Sequence, residues 1–273
     1  MFRMIVLAPL RHFQFPVMAE CINPEVFQGK AEKEIATLVV WEGNKEKELG
    51  ELFKIEENAG EIPNIVINGD AGEVRRIGLG MKNGEIVING NAGMHLGEKM
   101  KGGKITVNGN AEGWTGSEMK GGLIEIHGNA NDYLASPYRG SDTGMKGGKI
   151  IVDGNVGADS AVFMKGGVIK IRGNAGQFLG FRMRDGIIHV ENNCSTRVGA
   201  SMTGGKIVVS GLLEEVMPTF SIDSVKPKVK IDETESISGP FYVFLGDMAE
   251  RGNGKLFVSK ANNPHLSSYE KFL

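Results

Sequence analysis

One short pattern recurs along this chain at a fixed interval. A methionine opens each unit, and a glycine pair and an alternating apolar stretch usually follow, as in MKGGKITVNGNAEG. Successive methionines are 19 residues apart, except for one interval of 26, which is one unit plus seven residues. The units begin at Met81, Met100, Met119, Met145, Met164, Met183 and Met202. Such a period predicts like units stacked on a shared core.

Each unit contains one stretch that has the pattern of a β-strand. Ile86 and Ile88 fall on one face, and Glu85 and Val87 on the other. Alternation of β-branched residues with period two predicts a strand. The remainder of a unit, such as NAGMHLGEKM, has too many glycines for a helix.

We therefore predict an all-β fold, a right-handed parallel β-helix (a β-solenoid) of about seven to eight coils with non-repetitive end caps. Equivalent residues of neighbouring coils would lie about 4.8 Å apart. A leucine-rich repeat has a similar strand pattern, but its second leg should be apolar and is often helical. Propeller blades need about 40 residues per repeat. The leucine-rich repeat and the propeller therefore both fit the sequence less well than the β-helix.

Aligning the units assigns a role to each column. The methionines are expected inside, as flexible core residues. Cys194 shares a column of small residues and is interpreted as packing rather than as a reactive thiol. An asparagine column is expected to form an amide ladder at a corner. Its members are Asn91, Asn110, Asn129, Asn155, Asn174 and Asn193.

A column of positive charge directly follows the methionines. It has two interpretations: a solvated corner that deters aggregation, or a stripe that docks an acidic partner. The first is favoured. The members are Lys82, Lys101, Lys120, Lys146, Lys165 and Arg184.

Composition excludes several classes of protein. The net charge of −2 gives no basic field for nucleic acid. Two cysteines are too few for a disulfide framework and indicate a cytoplasmic protein. No apolar run is long enough to span a membrane, and the N-terminus lacks the pattern of a signal peptide.

Motifs for chemistry are absent from the sequence. His95, His127 and His189 fall in different columns, so stacking would not bring them together. No zinc, phosphate-loop or nucleophile-elbow pattern occurs. We therefore expect no catalytic, cofactor-binding or metal-binding residue on this chain.

Specific contacts with partners are expected where the repeat is interrupted. An insertion at residues 131–143 brings together Tyr133, Pro137, Tyr138 and Arg139, and aromatic and arginine side chains are enriched at interface centres. The alternative is a tolerated surface loop. The sequence divides into an N-terminal cap with strands (1–60), the repeats (61–213) and a C-terminal cap and docking arm (214–273). Together these segments are predicted to form one structural unit.

The repeats also carry a family signature. Residues 78–90, GLGMKNGEIVING, fit the pattern [GW]-x-x-M-x-x-G-x-[IL]-x-[IV]-x-G, as do residues 97–109, 116–128 and 199–211. Three further units depart from it only at Asp142, Ala161 and Asn192. In repeats, length and flanks the chain resembles the C subunit of formylmethanofuran dehydrogenase from methanogenic archaea. The repeats also resemble the C-terminal domain of the glutamate synthase large subunit, which belongs to a much longer chain.

The first resemblance implies a non-catalytic scaffold subunit of an oxidoreductase complex. That complex reduces CO2 with ferredoxin electrons and couples the formyl group to methanofuran, the first step of methanogenesis from CO2. The resemblance implies tungsten or molybdenum pterin, iron–sulfur clusters and a dinuclear metal centre on other subunits. The implied partners are amidohydrolase-like, pterin-metal and ferredoxin-like subunits. It leaves open which of the two metals is used.

Two other functions remain as alternatives. The chain could be a free-standing glutamate-synthase-type module in glutamate biosynthesis. It could also be a β-helix enzyme acting on polysaccharide, which would need clustered acidic and basic residues on one outer face. The columns lack such a cluster.

Overall fold

A computed structural model describes residues 3–60, 63–232 and 235–273 of the chain. The first residues of two predicted segments, 1–2 and 61–62, therefore lie outside the described residues, as do 233–234. Within the described ranges the chain forms a 13-stranded sheet and a four-stranded sheet. Three short helices lie before the repeats: α1 (Pro24–Phe27), α2 (Glu32–Ala36) and α3 (Leu49–Leu52).

The repeats supply the centre of the large sheet, with one strand per unit. Their alternating apolar residues pair in parallel with strict register, so that Ile86, Ile105 and Ile124 are successive partners. All three side chains are fully buried, which confirms the predicted inward face. The strands are β6 (Ile65–Asn68), β8 (Glu85–Asn89), β9 (Lys104–Val107), β10 (Leu123–Ile126), β11 (Lys149–Val152), β12 (Lys165–Ile171), β13 (Asp185–Val190) and β14 (Lys206–Val209). One short strand, β7 (Val74–Arg75), belongs to the smaller sheet.

The segments that flank the repeats extend both sheets. Their strands are β1 (Arg3–Pro9), β2 (Val17–Met18), β3 (Val39–Glu42), β4 (Lys45–Glu48), β5 (Phe53–Ala59), β15 (Ser221–Lys230), β16 (Ser236–Gly246) and β17 (Gly254–Ser259). In the N-terminal segment β1 pairs in parallel with β6 and antiparallel with β5, while β2, β3 and β4 complete the smaller sheet with β7. At the other end β17 adds in parallel to β14, and β16 and β15 follow in antiparallel order.

The prediction of an all-β, right-handed parallel β-helix is wrong. The large sheet is mixed, because both of its ends are antiparallel, and a separate four-stranded sheet stands beside it. The second leg of each unit forms turns rather than a continuous strand. It joins the next unit through one β-bridge, such as Ala92 to Ala111, and through further backbone hydrogen bonds of the turns, such as that from the N–H of Gly116 to the carbonyl oxygen of Leu96 at 2.8 Å. Glycines and left-handed residues in that leg prevent an extended conformation.

The methionine column is part of the core, as predicted. All seven methionines are fully buried. They reach beneath glycines of the following units: a Cβ at Gly148, for example, would lie 2.7 Å from Cε of Met119, and Gly148 has φ +90°. Stacking at this spacing therefore needs a long, flexible side chain in one unit and the absence of a side chain in the next.

The asparagine column joins neighbouring units mainly through backbone donors. The predicted amide-to-amide bond occurs at one step, where Nδ2 of Asn129 donates to Oδ1 of Asn110 at 3.3 Å. The backbone N–H of Asn110 donates to Oδ1 of Asn91 at 2.9 Å, and that of Asn129 donates to Oδ1 of Asn110 at 2.8 Å. The insertion does not break the column, since the N–H of Asn155 donates to Oδ1 of Asn129 at 2.8 Å. These side chains satisfy backbone donors at a corner where no strand partner is available.

The C-terminal hairpin covers part of the outer face of the large sheet. Val229 and Phe241 pack with Val208 and Phe257 in a second small core. Two ion pairs accompany this packing: Lys149 Nζ lies 3.1 Å from Asp232, and Lys170 Nζ lies 2.6 Å from Glu235. The last segment is a 3₁₀ helix (Pro264–Phe272), and a shorter one spans Met248–Glu250.

Candidate functional site

Chemistry-bearing side chains are scattered over the described part of the chain, where no group of three or more His, Cys, Asp or Glu could hold a metal ion. Cys194 is buried in its small-residue column, as predicted. Burial raises the pKa of the Cys194 thiol far above its ordinary value and that of Cys21 to about 11. Both thiols are therefore protonated at neutral pH, and a protonated thiol is a poor nucleophile.

A column of residues lies in the turns of the second leg, fourteen residues after each methionine from Met81 to Met183, and Arg76 holds the same position in the unit before Met81. We name it the turn column. Every member adopts a left-handed backbone with φ between 53° and 65°, which non-glycine residues seldom do. Left-handed residues recur at functional sites, where the surrounding structure stabilises them. The members are Arg76, His95, Trp114, Tyr133, Asp159, Phe178 and Arg197.

Three members of the turn column form an aromatic stack. The ring centroids of His95 and Trp114 are 5.5 Å apart with an interplanar angle of 11°. Those of Trp114 and Tyr133 are 4.4 Å apart at 12°. Tyr138 of the insertion lies tilted against the stack, 5.9 Å from His95 and 6.3 Å from Trp114. The insertion thus folds back onto the turns instead of extending away from them.

A buried acidic side chain lies beside the stack. Glu98 is only 6% exposed, and its carboxylate is 3.2 Å from Nδ1 of His95 and 3.6 Å from Nε of Arg76. The close contact with His95, followed by the charge of Arg76, holds the pKa of Glu98 below its usual range against the effect of burial. The stack is therefore bordered by an ionised carboxylate that neighbouring cations neutralise.

The four predicted contact residues occupy different environments. Tyr138 is 58% exposed and Arg139 is exposed, so both can reach a partner. Tyr133 is half-buried within the stack, and Pro137 is buried. Tyr133 occupies the repeat position of the turn column, so the seven extra residues follow it in the chain.

The insertion is held at both ends. The hydroxyl of Ser136 donates to the carbonyl oxygen of Asp159 at 2.6 Å and accepts from the N–H of Val162 at 2.9 Å. Asp142 lies 3.3 Å from Arg184 and 3.9 Å from Lys165. The hydroxyl of Thr143 and then these cations hold the pKa of Asp142 below its usual range. Tyr138 and Arg139 are thus presented on an ordered loop.

The lysine column lies on an exposed corner of the repeats. Lys82, Lys101, Lys120 and Lys146 are exposed, and none has a carboxylate within 4.0 Å among the described residues. Lys165 and Arg184 differ because the insertion supplies Asp142. Four lysine ammonium groups without a carboxylate partner among the described residues therefore lie in a row, one in each successive repeat unit.

A single charge reversal tests the solvated-corner interpretation of this column. Lys101→Glu is expected to raise the free energy of unfolding by about 0.2–1 kcal/mol at low salt, because like charges in register destabilise neighbouring strands. Denaturant titrations at low and high salt check this, since screening should remove the difference. Lys33→Glu, at an exposed site outside the column, is the control. If Lys101→Glu instead weakens assembly with partner proteins, the docking interpretation is correct.

Comparison with known proteins identifies the family. The chain is 50% identical over 257 residues to the C subunit of the tungsten-containing formylmethanofuran dehydrogenase 2 of Methanococcus maripaludis, with 92% of this chain and 94% of the relative covered. This chain belongs to the family of formylmethanofuran dehydrogenase C subunits. The prediction made from the repeat signature is therefore confirmed, and the glutamate-synthase-type module is set aside.

Other relatives match only in part. The C subunit of the molybdenum-containing formylmethanofuran dehydrogenase 1 of Methanothermobacter marburgensis is 47% identical over 92 residues, which are 34% of this chain. The match spans only 23% of that longer relative. The family therefore includes chains named for molybdenum and chains named for tungsten. No protein-family model matches the sequence.

A solved structure has the same fold as this member of the family. It is a chain in the crystal structure of the formyltransferase/hydrolase complex (FhcABCD) from Methylorubrum extorquens in complex with methylofuran. The TM-score is 0.83 at 26% identity, with 93% of this chain and 99% of that chain covered. Over the described residues, no helix has the length and apolar character needed to cross a bilayer.

Sequence reasoning missed the turn column of this family member. The signal was present, because His95, Trp114 and Tyr133 share one repeat offset. Bulky residues within a glycine-rich leg do not predict a left-handed backbone, and their contacts depend on how closely the turns stack. The place where Tyr138 contacts the stack also depends on the path of the insertion.

Proposed function

We propose that this chain is a non-catalytic structural subunit of a formylmethanofuran dehydrogenase complex. That complex would reduce CO2 and couple the formyl group to methanofuran with electrons from ferredoxin. The observation that carries the proposal is the match along nearly the whole chain to a C subunit of that enzyme. The similar chain in the formyltransferase/hydrolase complex with methylofuran supports a role beside formyl-transfer chemistry.

The residues of this chain favour a scaffold role over a catalytic one. The described residues offer no set of three His, Cys, Asp or Glu ligands, so they do not fit a tungsten, molybdenum or dinuclear metal centre. Neither cysteine is paired with another as a ligand to an iron–sulfur cluster would be, and both thiols are protonated at neutral pH. The proposal therefore places the pterin metal, the clusters and the dinuclear centre on other subunits.

Docking is proposed to occur through the insertion and its neighbours. Tyr138 and Arg139 are exposed on an ordered loop, and the aromatic stack lies directly beneath Tyr138. Rigid aromatic side chains and arginine often carry most of the binding energy at protein interfaces. The division into 1–60, 61–213 and 214–273, acting as one structural unit with a C-terminal docking arm, is part of the same proposal.

Affinity capture from cells of the source organism tests the proposal. The full chain, tagged and expressed at its native level, is expected to retain several other subunits. The eluate should contain molybdenum or tungsten by elemental analysis and should show formylmethanofuran dehydrogenase activity. The chain purified alone serves as the control and should show neither. Elution of the chain by itself, or with proteins that lack metal and activity, would contradict the proposal.

A further inference from the structure

Three phenylalanines and three arginines gather on the turns that follow the insertion. We name this group the arginine patch: Phe163, Phe178, Phe181, Arg182, Arg184 and Arg197. Phe178 and Arg197 belong to the turn column, and Phe163 and Arg182 adopt the same left-handed backbone at φ 53° and 55°. The patch therefore continues the surface that carries the aromatic stack.

Each arginine of the patch stacks on a phenylalanine. Cζ of Arg182 lies 5.5 Å from the ring centroid of Phe163 and 5.2 Å from that of Phe181. Cζ of Arg184 lies 5.8 Å from Phe163, and Cζ of Arg197 lies 5.0 Å from Phe178. Stacking orders the guanidinium group without using its N–H donors. An ordered fork is ready to bind a planar carboxylate through two hydrogen bonds.

Most of the positive charge in the patch is not neutralised. Arg184 pairs with Asp142 of the insertion at 3.3 Å. Arg182 and Arg197 are both exposed, and among the described residues neither has a carboxylate within 4.0 Å. A shallow cavity of about 300 Å³ lies at the same place and is lined by Phe163, Arg182, Arg184, Ser201, Thr203 and Glu250. Glu250 is the acidic member of this lining.

We propose that the arginine patch docks an acidic segment of a neighbouring subunit. The positive charge of Arg182 and Arg197 requires a partner with carboxylates, and the phenylalanines between them provide apolar contact area. Members of the patch come from three successive repeat units, so the surface is longer than a single small anion. Continuity with the insertion, through Asp142 and the turn column, places the patch beside the proposed docking loop. This inference rests on the proposed function and adds the chemistry of the partner.

A double charge reversal in the full chain tests the inference. Arg182→Glu with Arg197→Glu is expected to weaken capture of the co-purifying subunits at least tenfold at low salt, and this loss should shrink as salt screens the new repulsion. The thermal unfolding midpoint should not change, because both side chains are exposed. Lys33→Glu with Lys45→Glu is the matched control, since it changes the net charge equally at two exposed sites away from the patch.

Cross-linking from the cavity identifies the partner segment. A photo-reactive phenylalanine analogue at the exposed Thr203 of the patch is expected to cross-link a peptide rich in Asp and Glu, identified by mass spectrometry. If the wild-type chain captures no subunits, both the proposed function and this inference fail. If it captures them and the double reversal captures them equally, or the cross-linked peptide is not acidic, this inference alone is overturned. Binding of free phosphate to the patch while the other subunits stay bound would also overturn it, by showing that the patch is a small-anion site.

Discussion

Replacing Met119 with alanine is expected to lower the free energy of unfolding by about 2–5 kcal/mol. Met119 is fully buried, and its Cε lies beneath Gly148 of the next unit, so its removal leaves a cavity between stacked units. The regular backbone hydrogen bonds on both sides limit how far the units can collapse into that space. Urea titration followed by circular dichroism measures the change.

The neighbouring glycine tests this explanation of the core. Gly148→Ala should also destabilise, because its Cβ would lie 2.7 Å from Cε of Met119 at a backbone φ of +90°. The double variant should lose less than the sum of the two single losses, because truncating Met119 relieves one of the collisions. The rest of the Gly148→Ala loss should persist, since the Cβ would still lie 2.8 Å from the carbonyl oxygen of Gly122. Met248→Ala is the control, at an exposed methionine. A loss well under about 1 kcal/mol for Met119→Ala would show that the column is not part of the core.

Removing the two exposed anchors of the insertion is expected to have the largest effect on assembly. Tyr138→Ala with Arg139→Ala should weaken capture of the catalytic subunits by about 2 kcal/mol or more, a roughly 30-fold increase in Kd. Tyr138 is 58% exposed and rests on the stack of His95 and Trp114, so its loss removes both an anchor and the cover of that stack. Titration of the immobilised chain with the other subunits measures the affinity.

Two results separate docking from a tolerated loop. Phe15→Ala with Lys45→Ala removes an equally exposed aromatic ring and an exposed cation elsewhere, and it should leave the affinity unchanged. The double variant of the insertion should keep the unfolding midpoint of the wild-type chain. If that variant assembles normally, the docking surface must be sought in the arginine patch, on the other faces of the repeats or in the terminal segments.

The predicted fold class was wrong because it treated the flanking segments as caps on a solenoid, whereas their strands join the large sheet itself. The ends of the large sheet contain antiparallel strands, β5 at one edge and β16 with β15 at the other, and no periodic signal in the sequence records such pairings. The second leg also lacks the strand that a continuous wall would need, because its residues adopt left-handed turns.

The repeat could be predicted from local patterns, because each determinant lies within one unit of 19 residues. Alternating isoleucines predict a strand with one apolar face, and Ile86, Ile105 and Ile124 do pair in register. A methionine in every unit indicates an internal column, and all seven side chains are buried. The family could be recognised for the same reason, because its sequence signature lies entirely within single repeat units.

The contacts between turns of successive units, in contrast, could be found only in the tertiary structure. The stack of His95, Trp114 and Tyr133 and the pairing of Phe178 with Arg197 arise because turns of successive units lie one above another. The contact of Tyr138 with that stack depends on the path of an insertion that has no repeat to guide it. Local sequence determines the backbone geometry within one unit. These contacts depend instead on the distances between units, which are set by how the units pack against one another.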